Sequence, residues 1–375
     1  MKINKDHFIA QDNAMQDALS DALSLGLSPL RYGVVPASAA GEDTFNVKIA
    51  LDNQNTLQVT VLSLQAITPG GVRIQVPALP SADTEAGLGT AFPFAASGSE
   101  AVYWVALTVQ PFDRRPSGNP DAGENPPRYP FVQAGYQVQV VSESQYPQYA
   151  RNPFALIIGK VTVNGNTIRV EEDYIPPCIS ISASPDLMGL HAELDQFLAG
   201  LELRCSQIVQ KIFKKSQQND LSELAMFLCD RIMLFIGQAL TEMRWNQVYE
   251  PPAKMFSTIM SLARVMKNTI DLRTGSGKEE LMNYLSEWCE LNQGELESML
   301  SSLAGMRYDH NDINSNIMPV IRFAKITGKL FESLSNLEFI GKRKESGIFV
   351  KEEHNYNQNA ANNPEPAKPK RRFFG

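Results

Sequence analysis

The stretch SPDLMGLHAELDQFLAGLELRCSQIVQKI, residues 184–212, decides the fold class, because its apolar residues recur every three or four positions. That spacing places them on one face of a helix of about 25 residues. Ser184 is a favoured N-cap residue, and Pro185 suits the first helical position. A domain boundary is therefore predicted here. The apolar face consists of Leu187, Leu190, Leu194, Phe197, Leu201, Cys205, Ile208 and Ile212.

The residues before this stretch alternate runs of β-formers with turn-rich segments, which is typical of a β-sandwich. Gly165, between Asn164 and Asn166, marks a hairpin. The proline-rich residues 111–130 are predicted to be a long exposed loop, and a short helix is predicted over 11–25. The predicted strands are 45–51, 57–67, 72–76, 102–109, 131–141, 155–163 and 167–171.

The residues after this stretch have helical periodicity and predict an up-and-down bundle. The second helix is apolar over a wide arc that includes Leu234, Phe235, Ile236 and Leu240. Such an arc fits packing between subunits or an intrachain core, and the sequence leaves both open. The further helices are predicted over 220–248, 253–271, 278–305 and 311–338.

The predicted fold class is α+β, with a β-sandwich domain over 1–183 and a helical bundle over 184–340. Residues 341–375 are predicted to be a mostly disordered tail. The sandwich region carries 11 basic and 17 acidic residues. The bundle region carries 15 basic and 20 acidic residues. The tail carries 8 basic and 4 acidic residues, so a basic tail follows an acidic body.

Composition narrows the function classes. The net charge of −7 argues against nucleic acid as the main partner. No run of about 18 uncharged apolar residues predicts a membrane span, and residues 1–8 lack the apolar core of a signal peptide. The four cysteines form no CxxC pair, which fits reduced thiols in a cytosolic protein.

Two motifs suggest chemistry but lack essential residues. Residues 274–278, TGSGK, resemble a phosphate-binding loop, but Leu272 stands where its first glycine belongs and Glu279 where its Ser or Thr belongs. Residues 312–316, DINSN, match the start of a Ca²⁺ loop, but Ile317 replaces its glycine and Phe323 its final glutamate.

Histidines and carboxylates add no reaction site to these two motifs. The four histidines form no zinc motif. The acidic run 171–173 reads as a solvated strand end, although paired catalytic carboxylates remain an alternative there. We therefore predict no catalytic residue, metal, cofactor or small-molecule substrate.

Four segments, in this order, resemble the TssK family of type VI secretion baseplate subunits. Residues 7–12, HFIAQD, are similar to the segment that opens the family's N-terminal helix. Residues 174–184, YIPPCISISAS, resemble its junction between the β-domain and the helices, and residues 250–263 resemble a helix start. Residues 308–312, YDHND, resemble the element before its last neck helix. The motif residues are Tyr174, Pro176, Pro177, Tyr308, His310 and Asp312.

The resemblance implies a non-catalytic homotrimer in the cytoplasm, at the inner face of the inner membrane. Its β-domain would bind TssG in a wedge with TssF, and the trimer would link this wedge to the cell-envelope anchor. The residues after 341 are too few for the family's C-terminal head, which implies a head-less, Bacteroidetes-type member. The alternative is a phage-tail or other contractile-injection adaptor of the same architecture.

The motif residues are expected to serve mainly structural roles. Tyr308 and His310 are expected to brace a helix, and the two prolines to form a rigid joint. His7 and Phe8 are expected to pack the first helix on the sandwich, with partner contact as the alternative. The tail is a candidate docking peptide for the envelope anchor, with a plain solubilising tail as its alternative. Its candidate contacts are Lys370, Arg371, Arg372, Phe373 and Phe374.

Overall fold

The computed structural model describes residues 4–38, 43–76, 88–94, 101–121, 123–165 and 167–341, so the tail lies outside the described residues. The chain divides into two compact units. The β unit comprises residues 1–187, 247–255 and 308–317, and the helical unit comprises 188–246, 256–307 and 318–375. The first border lies close to the predicted one at 184. Two segments from the predicted helical domain belong to the β unit.

The β unit contains two antiparallel sheets. In the first, strand β3 (Thr56–Ile67) pairs with the other four strands. These are β1 (Gly33–Val34), β2 (Phe45–Leu51), β4 (Arg73–Val76) and β5 (Leu88–Pro93). The second sheet has the order β7-β6-β8-β9. Its strands are β6 (Val102–Ser117), β7 (Phe131–Ser142), β8 (Ala155–Asn164) and β9 (Thr167–Val170).

The two sheets pack as the predicted sandwich, and the predicted α+β fold class is confirmed. A Cβ on Gly159 of β8 would lie 2.4 Å from the Cδ1 atom of Ile49 on β2. The two sheets therefore approach closely at this glycine. The predicted hairpin is also confirmed, since Asn164 pairs with Thr167 across a turn at Gly165.

Strand β6 continues through Ser117, so the prediction of a loop from residue 111 was wrong. Its residues Arg114–Ser117 pair with the start of β7 and form a two-stranded arm, residues 110–135. Strand β8 pairs with β6 only as far as Thr108. One edge of the arm is therefore unpaired, so Pro116 is tolerated because an edge position needs no second N–H bond. Pro111 lies between Gln110 and Arg114, where the register of β6 against β7 shifts.

Two helices belong to the first 183 residues. Helix α1 (Lys5–Ser24) begins before the predicted residue 11, because Asn4 and His7 form a capping box at its N-terminus. Helix α2 (Tyr146–Ala150) was not predicted, and neither were strands β1 and β5. All three strands and helices that were missed are short, so they carry too little periodicity to be recognised.

Six helices follow the boundary within the described residues up to 341, where four or five were predicted. The predicted helix over 278–305 is two helices, because Glu290 has a positive φ of 60° and Asn292 starts a new capping box. The helices are α3 (Pro185–Lys214), α4 (Asp220–Trp245), α5 (Pro252–Asp271), α6 (Lys278–Cys289), α7 (Gln293–Ala304) and α8 (Ile313–Asn336).

The apolar face of α3 is an intrachain core, since all eight of its residues are buried. In the helical unit, the Phe197 ring packs edge-on against Phe323 of α8. The Nε2 atom of His191 lies 3.1 Å from the Met243 carbonyl oxygen of α4. This face is therefore occupied within one chain.

Helix α4 buries one face, and its exposed side carries two large apolar residues among polar ones such as Arg231, Gln238 and Glu242. Leu234 is 59% exposed and Trp245 is 76% exposed. Among the described helices, α4 alone is long and apolar enough to cross a membrane, and 39% of its most apolar window is buried. Core helices of soluble proteins share this composition, so we assign no membrane span to it.

Candidate functional site

Two of the family-like segments come together in the β unit. Tyr174 and the element 308–312 meet strand β1 through a set of buried polar groups. We call the residues Tyr32, Tyr174, Tyr308, His310 and Asn311 the junction cluster. They are widely separated in the chain, so the cluster exists only in the folded protein.

His310 lies at the centre of the junction cluster and is 3% exposed. Its Nε2 atom lies 2.9 Å from the carbonyl oxygen of Tyr32, and its Nδ1 atom lies 2.8 Å from the Tyr308 hydroxyl. A carbonyl can only accept, so Nε2 carries the proton and Nδ1 accepts from Tyr308. Burial lowers the pKa of His310 to about 4. The imidazole is therefore neutral at pH 7.

Two tyrosines converge on Asn311. The Tyr32 hydroxyl donates to its Oδ1 atom at 2.9 Å, and the Tyr174 hydroxyl donates to its backbone oxygen at 2.6 Å. Burial raises the pKa of both tyrosines above the usual value. The hydroxyls are therefore permanent donors, which is typical of a structural network and unlike a phenol that loses its proton in catalysis.

The proline pair lies against strand β1. The Val34 amide donates to the Pro177 carbonyl oxygen at 2.7 Å, and the Ile179 amide donates to the Val34 oxygen at 3.0 Å. Gly33 has a φ of +111°, and a Cβ there would lie 1.9 Å from the Pro177 oxygen. Only glycine fits this close approach. The joint between strand and helix is thus held by backbone bonds as well as by the proline rings.

A second group of polar residues lies on the outer face of the four-stranded sheet. The Lys160 Nζ atom lies 2.6 Å from the Asp312 carboxylate, and both side chains are largely buried. Lys160 also lies 3.9 Å from Glu171 and 5.0 Å from the centre of the Trp104 ring. Tyr146 of α2 stacks on the other part of this indole, at 4.5 Å. The ion pair thus ties the 308–317 segment to the sheet.

The Ca²⁺-loop residues are bound to protein groups. Asp312 pairs with Lys160, and the Asn314 side-chain oxygen accepts from the Ile175 amide at 3.0 Å. The Asn316 side-chain oxygen accepts from the Asp309 amide at 3.2 Å. Asp309 also accepts from the Asn311 amide, in a turn just before α8. Across the residues that the structure describes, no group of three His, Cys, Asp or Glu side chains is arranged to hold a metal.

The segment 274–278 lies in the helical unit, at a surface cavity of about 640 Å³. Lys278 donates to Asp271 at 2.7 Å and to Glu297 at 2.9 Å. Four more carboxylates, of Asp220, Glu223, Glu279 and Glu280, line this cavity. Arg273 and Lys278 are the cations that line the cavity, and Lys278 is already paired. The four carboxylates outnumber these two cations, so a phosphate group would meet net repulsion there. The segment is a turn between α5 and α6.

Helix α1 faces the solvent with its apolar side. Phe8 is 61% exposed, so the expectation that it packs on the sandwich was wrong. The side of α1 that is partly covered carries Ile9, Asn13, Gln16 and Ser20. The exposed row, which we call the α1 row, consists of Phe8, Met15, Leu19 and Leu23.

The arm adjoins α1 and is also apolar at its surface. Arg114 donates to the Asn13 side chain at 2.7 Å and lies 3.8 Å from Asp12. The exposed side chains of the arm are Phe112, Tyr129, Phe131 and Val132. Contiguous exposed apolar groups mark interaction surfaces. His7 caps α1 from its own N-terminus.

The structure places the predicted motif residues as follows. It brings Tyr174, Pro177, Tyr308 and His310 together, with Asp312 on the adjacent sheet face. The predicted contact residues of the tail, 370–374, lie outside the described residues. Sequence reasoning missed Tyr32, Trp104 and Lys160. Their only signal is a polar or aromatic residue within an apolar strand, which is too common to select them.

The type VI secretion family described as "Bacterial Type VI secretion, VC_A0110, EvfL, ImpJ, VasE" matches residues 132–267. This match confirms the resemblance to the TssK family. A crystal structure of TssK is 13% identical, with a TM-score of 0.46, and covers 89% of this chain and 67% of that one. A structure of TssK from EAEC in complex with a nanobody is 14% identical, with a TM-score of 0.47. That match covers 87% of this chain and 68% of the TssK chain. No curated protein matches the chain.

Proposed function

We propose that this chain, a TssK-type protein of the type VI secretion baseplate, is a non-catalytic adaptor that works as a homotrimer. The trimer links the TssF/TssG-type wedge proteins to the cell-envelope anchor, at the cytoplasmic face of the inner membrane. The helical unit provides contacts between copies, and the β unit provides contacts to the wedge.

Two large apolar side chains that α4 exposes carry the trimer proposal. The α3 stripe is occupied within one chain, so it is not free to join copies. Leu234 and Trp245 lie eleven residues apart on α4, which is close to three helical turns, so they share one face. Burying each of these side chains in a neighbouring copy contributes about 1.5–3 kcal/mol. Large apolar side chains that stay exposed on one helix face suit a subunit interface.

The α1 row and the arm form the proposed wedge contact. Both present apolar side chains to the solvent, and Arg114 ties the arm to α1 through Asn13. Aromatic anchors dominate the energy of protein interfaces. The arm supplies three aromatic side chains and α1 supplies Phe8, so we assign TssG binding to this surface.

The tail is the proposed contact to the envelope anchor. Residues 342–375 carry eight basic and four acidic side chains, opposite in sign to the rest of the chain. Phe373 and Phe374 follow three consecutive basic residues. Such a segment suits an acidic partner with an apolar pocket.

Two measurements on the full chain test this function. Light scattering at micromolar concentration is expected to give the mass of a trimer, about three times 41.6 kDa. Co-purification with co-expressed TssF/TssG-type partners is expected to retain the wild type and to lose a Phe8→Asp, Leu19→Asp variant. A clean monomer, or full retention of this variant, would refute the corresponding contact.

A further inference from the structure

The helical unit contains a second cavity, between α7 and the start of α8. Its volume is about 600 Å³, within the range of pockets that take small ligands or peptide anchors. Apolar side chains form its floor, and these include Met299, Leu303, Met318 and Pro319. Met318 is 67% exposed. We call this cavity the α7–α8 groove.

The groove exists because α7 carries small residues on this side. Gly294, Ser298 and Ser302 lie four residues apart and so share one helix face. Their short side chains leave the space that larger residues would fill. Polar groups occupy the rim, with Glu295 on α7 and Arg322 on α8. An apolar floor with a polar rim is typical of a site for a peptide with apolar anchors.

Helix α7, which lines the groove, and the preceding α6 are rich in acidic residues, and Arg322 of α8 is the cation that lines the groove. Residues 278–304, which form α6, α7 and their connection, carry six glutamates and a single lysine. That lysine, Lys278, is already paired with Asp271 and Glu297. A ligand with positive charge next to apolar side chains therefore suits this face best.

One segment of the same chain has this composition. Residues 368–374 read KPKRRFF and combine four basic residues with two phenylalanines. We propose that the α7–α8 groove binds this segment, with Phe373 and Phe374 on its apolar floor and the basic residues along the α6–α7 surface.

The chain is long enough to reach the groove. The last described residue, Gly341, donates its amide to the Tyr284 hydroxyl at 2.9 Å, so the tail departs from the helical unit. From Asn336 back to Met318, the axis of α8 covers about 27 Å. The 32 residues from Gly341 to Phe373 span at most about 105 Å when extended. The reach is therefore ample, within one chain or to a neighbouring copy.

The proposed anchor contact uses the same two phenylalanines. The groove and the envelope anchor therefore compete for one segment, and this consequence alone rests on the function proposed above. Binding of the segment to the groove does not require a trimer or a wedge, so it can be tested independently.

Photo-crosslinking on the full chain tests the contact. With p-benzoylphenylalanine in place of Met318, irradiation is expected to give a crosslink to residues 368–375, identified by mass spectrometry. The same amino acid in place of exposed Leu203, which does not line the groove, is the control and is expected to give none. A crosslink from position 318 to another segment, or no crosslink, would overturn the proposal.

Peptide binding provides the second test. A fluorescent peptide of residues 366–375 is titrated against the full chain carrying Phe373→Ala and Phe374→Ala, whose own tail cannot compete. Ser298→Trp fills the groove and is expected to weaken binding at least tenfold. Ser301→Trp, on the exposed side of the same helix, is the matched control and is expected to leave binding unchanged. Equal affinity in both variants would reject the site, as would equal binding of a peptide without the phenylalanines.

Discussion

The Nε2 atom of His310 donates a hydrogen bond to the carbonyl oxygen of Tyr32, 2.9 Å away and 278 residues earlier in the chain. The Tyr32 ring packs edge-on against the same imidazole, with centroids 4.7 Å apart. This pair closes the β unit around the segment 308–317, which arrives after most of the helices. The motif histidine is therefore held inside the β unit, and its role in bracing a helix stays a prediction.

Acid is expected to weaken this contact. Burial lowers the pKa of His310 from 6.5 to about 4, so the unfolded chain binds this proton more tightly than the folded one. The stabilisation is complete above pH 6.5 and falls as the pH drops from 6.5 towards 4. At pH 5 the expected loss is about 2 kcal/mol. Urea unfolding at pH 7.5 and pH 5 is compared for the wild type and His310→Gln. Between pH 7.5 and pH 5, the free energy of unfolding of the wild type should fall by this amount more than that of His310→Gln. Equal losses in the two proteins would contradict the prediction.

Gly33→Ala is expected to be strongly destabilising. The new Cβ would collide with the Pro177 carbonyl, and the positive φ disfavours alanine as well. We expect a loss of more than about 2 kcal/mol in the free energy of unfolding. Gly237→Ala on the open side of α4 is the control, since a Cβ there meets nothing within 4 Å. That change should stabilise the helix by up to about 1 kcal/mol. Similar effects from both substitutions would argue against the close approach.

The pair Lys160 and Asp312 is expected to show strong coupling. Removing one member of a largely buried ion pair leaves the other charge without compensation. Lys160→Met alone should cost about 3 kcal/mol, because the Asp312 carboxylate stays buried without its cation. Asp312→Leu alone should cost less, because Glu171 remains 3.9 Å from Lys160. The double variant should cost much less than the sum. Thermal or urea unfolding of the four proteins gives the coupling energy. Additive losses would show that the two side chains do not interact.

Leu234→Lys is expected to dissociate the proposed trimer. A charge in place of this exposed leucine of α4 would be buried without a partner in the proposed interface. The variant should sediment as a folded monomer with unchanged circular dichroism. Leu272→Lys, at another exposed leucine of the helical unit, should retain the oligomer. If both variants keep the wild-type mass, α4 is not the interface.

Lys278→Ala is expected to leave the protein folded and assembled. The two ion pairs of Lys278 are partly exposed, so their loss should cost less than about 1 kcal/mol. Lys329→Ala removes a comparable exposed pair with Glu290 and serves as the reference. Calorimetric titration with ATP should give no heat of binding to the wild-type protein or to Lys278→Ala. ATP binding that disappears in Lys278→Ala would overturn the interpretation of this segment as a turn.

Local patterns in the sequence were sufficient to predict most of the helices and strands. The apolar face of α3 follows from residues three or four positions apart, and Asn164 and Gly165 mark a hairpin by themselves. The arm was not predicted, because prolines 111 and 116 usually end a strand. Pro116 is tolerated because β8 no longer pairs with β6 there, and Pro111 lies where the register of β6 against β7 shifts. Both are properties of the sheet and not of the segment.

The sequence by itself determined the fold class, the change to helix near residue 184 and the motifs that indicate the family. Hydrophobic period and turn residues are local signals, set within a few positions of the chain. Only the tertiary structure decided what covers each face. It buries the α3 stripe within one chain, leaves the α1 row exposed, and joins Tyr32 to His310. Such contacts depend on residues that are distant in sequence, and no local spacing specifies which distant surface will meet another.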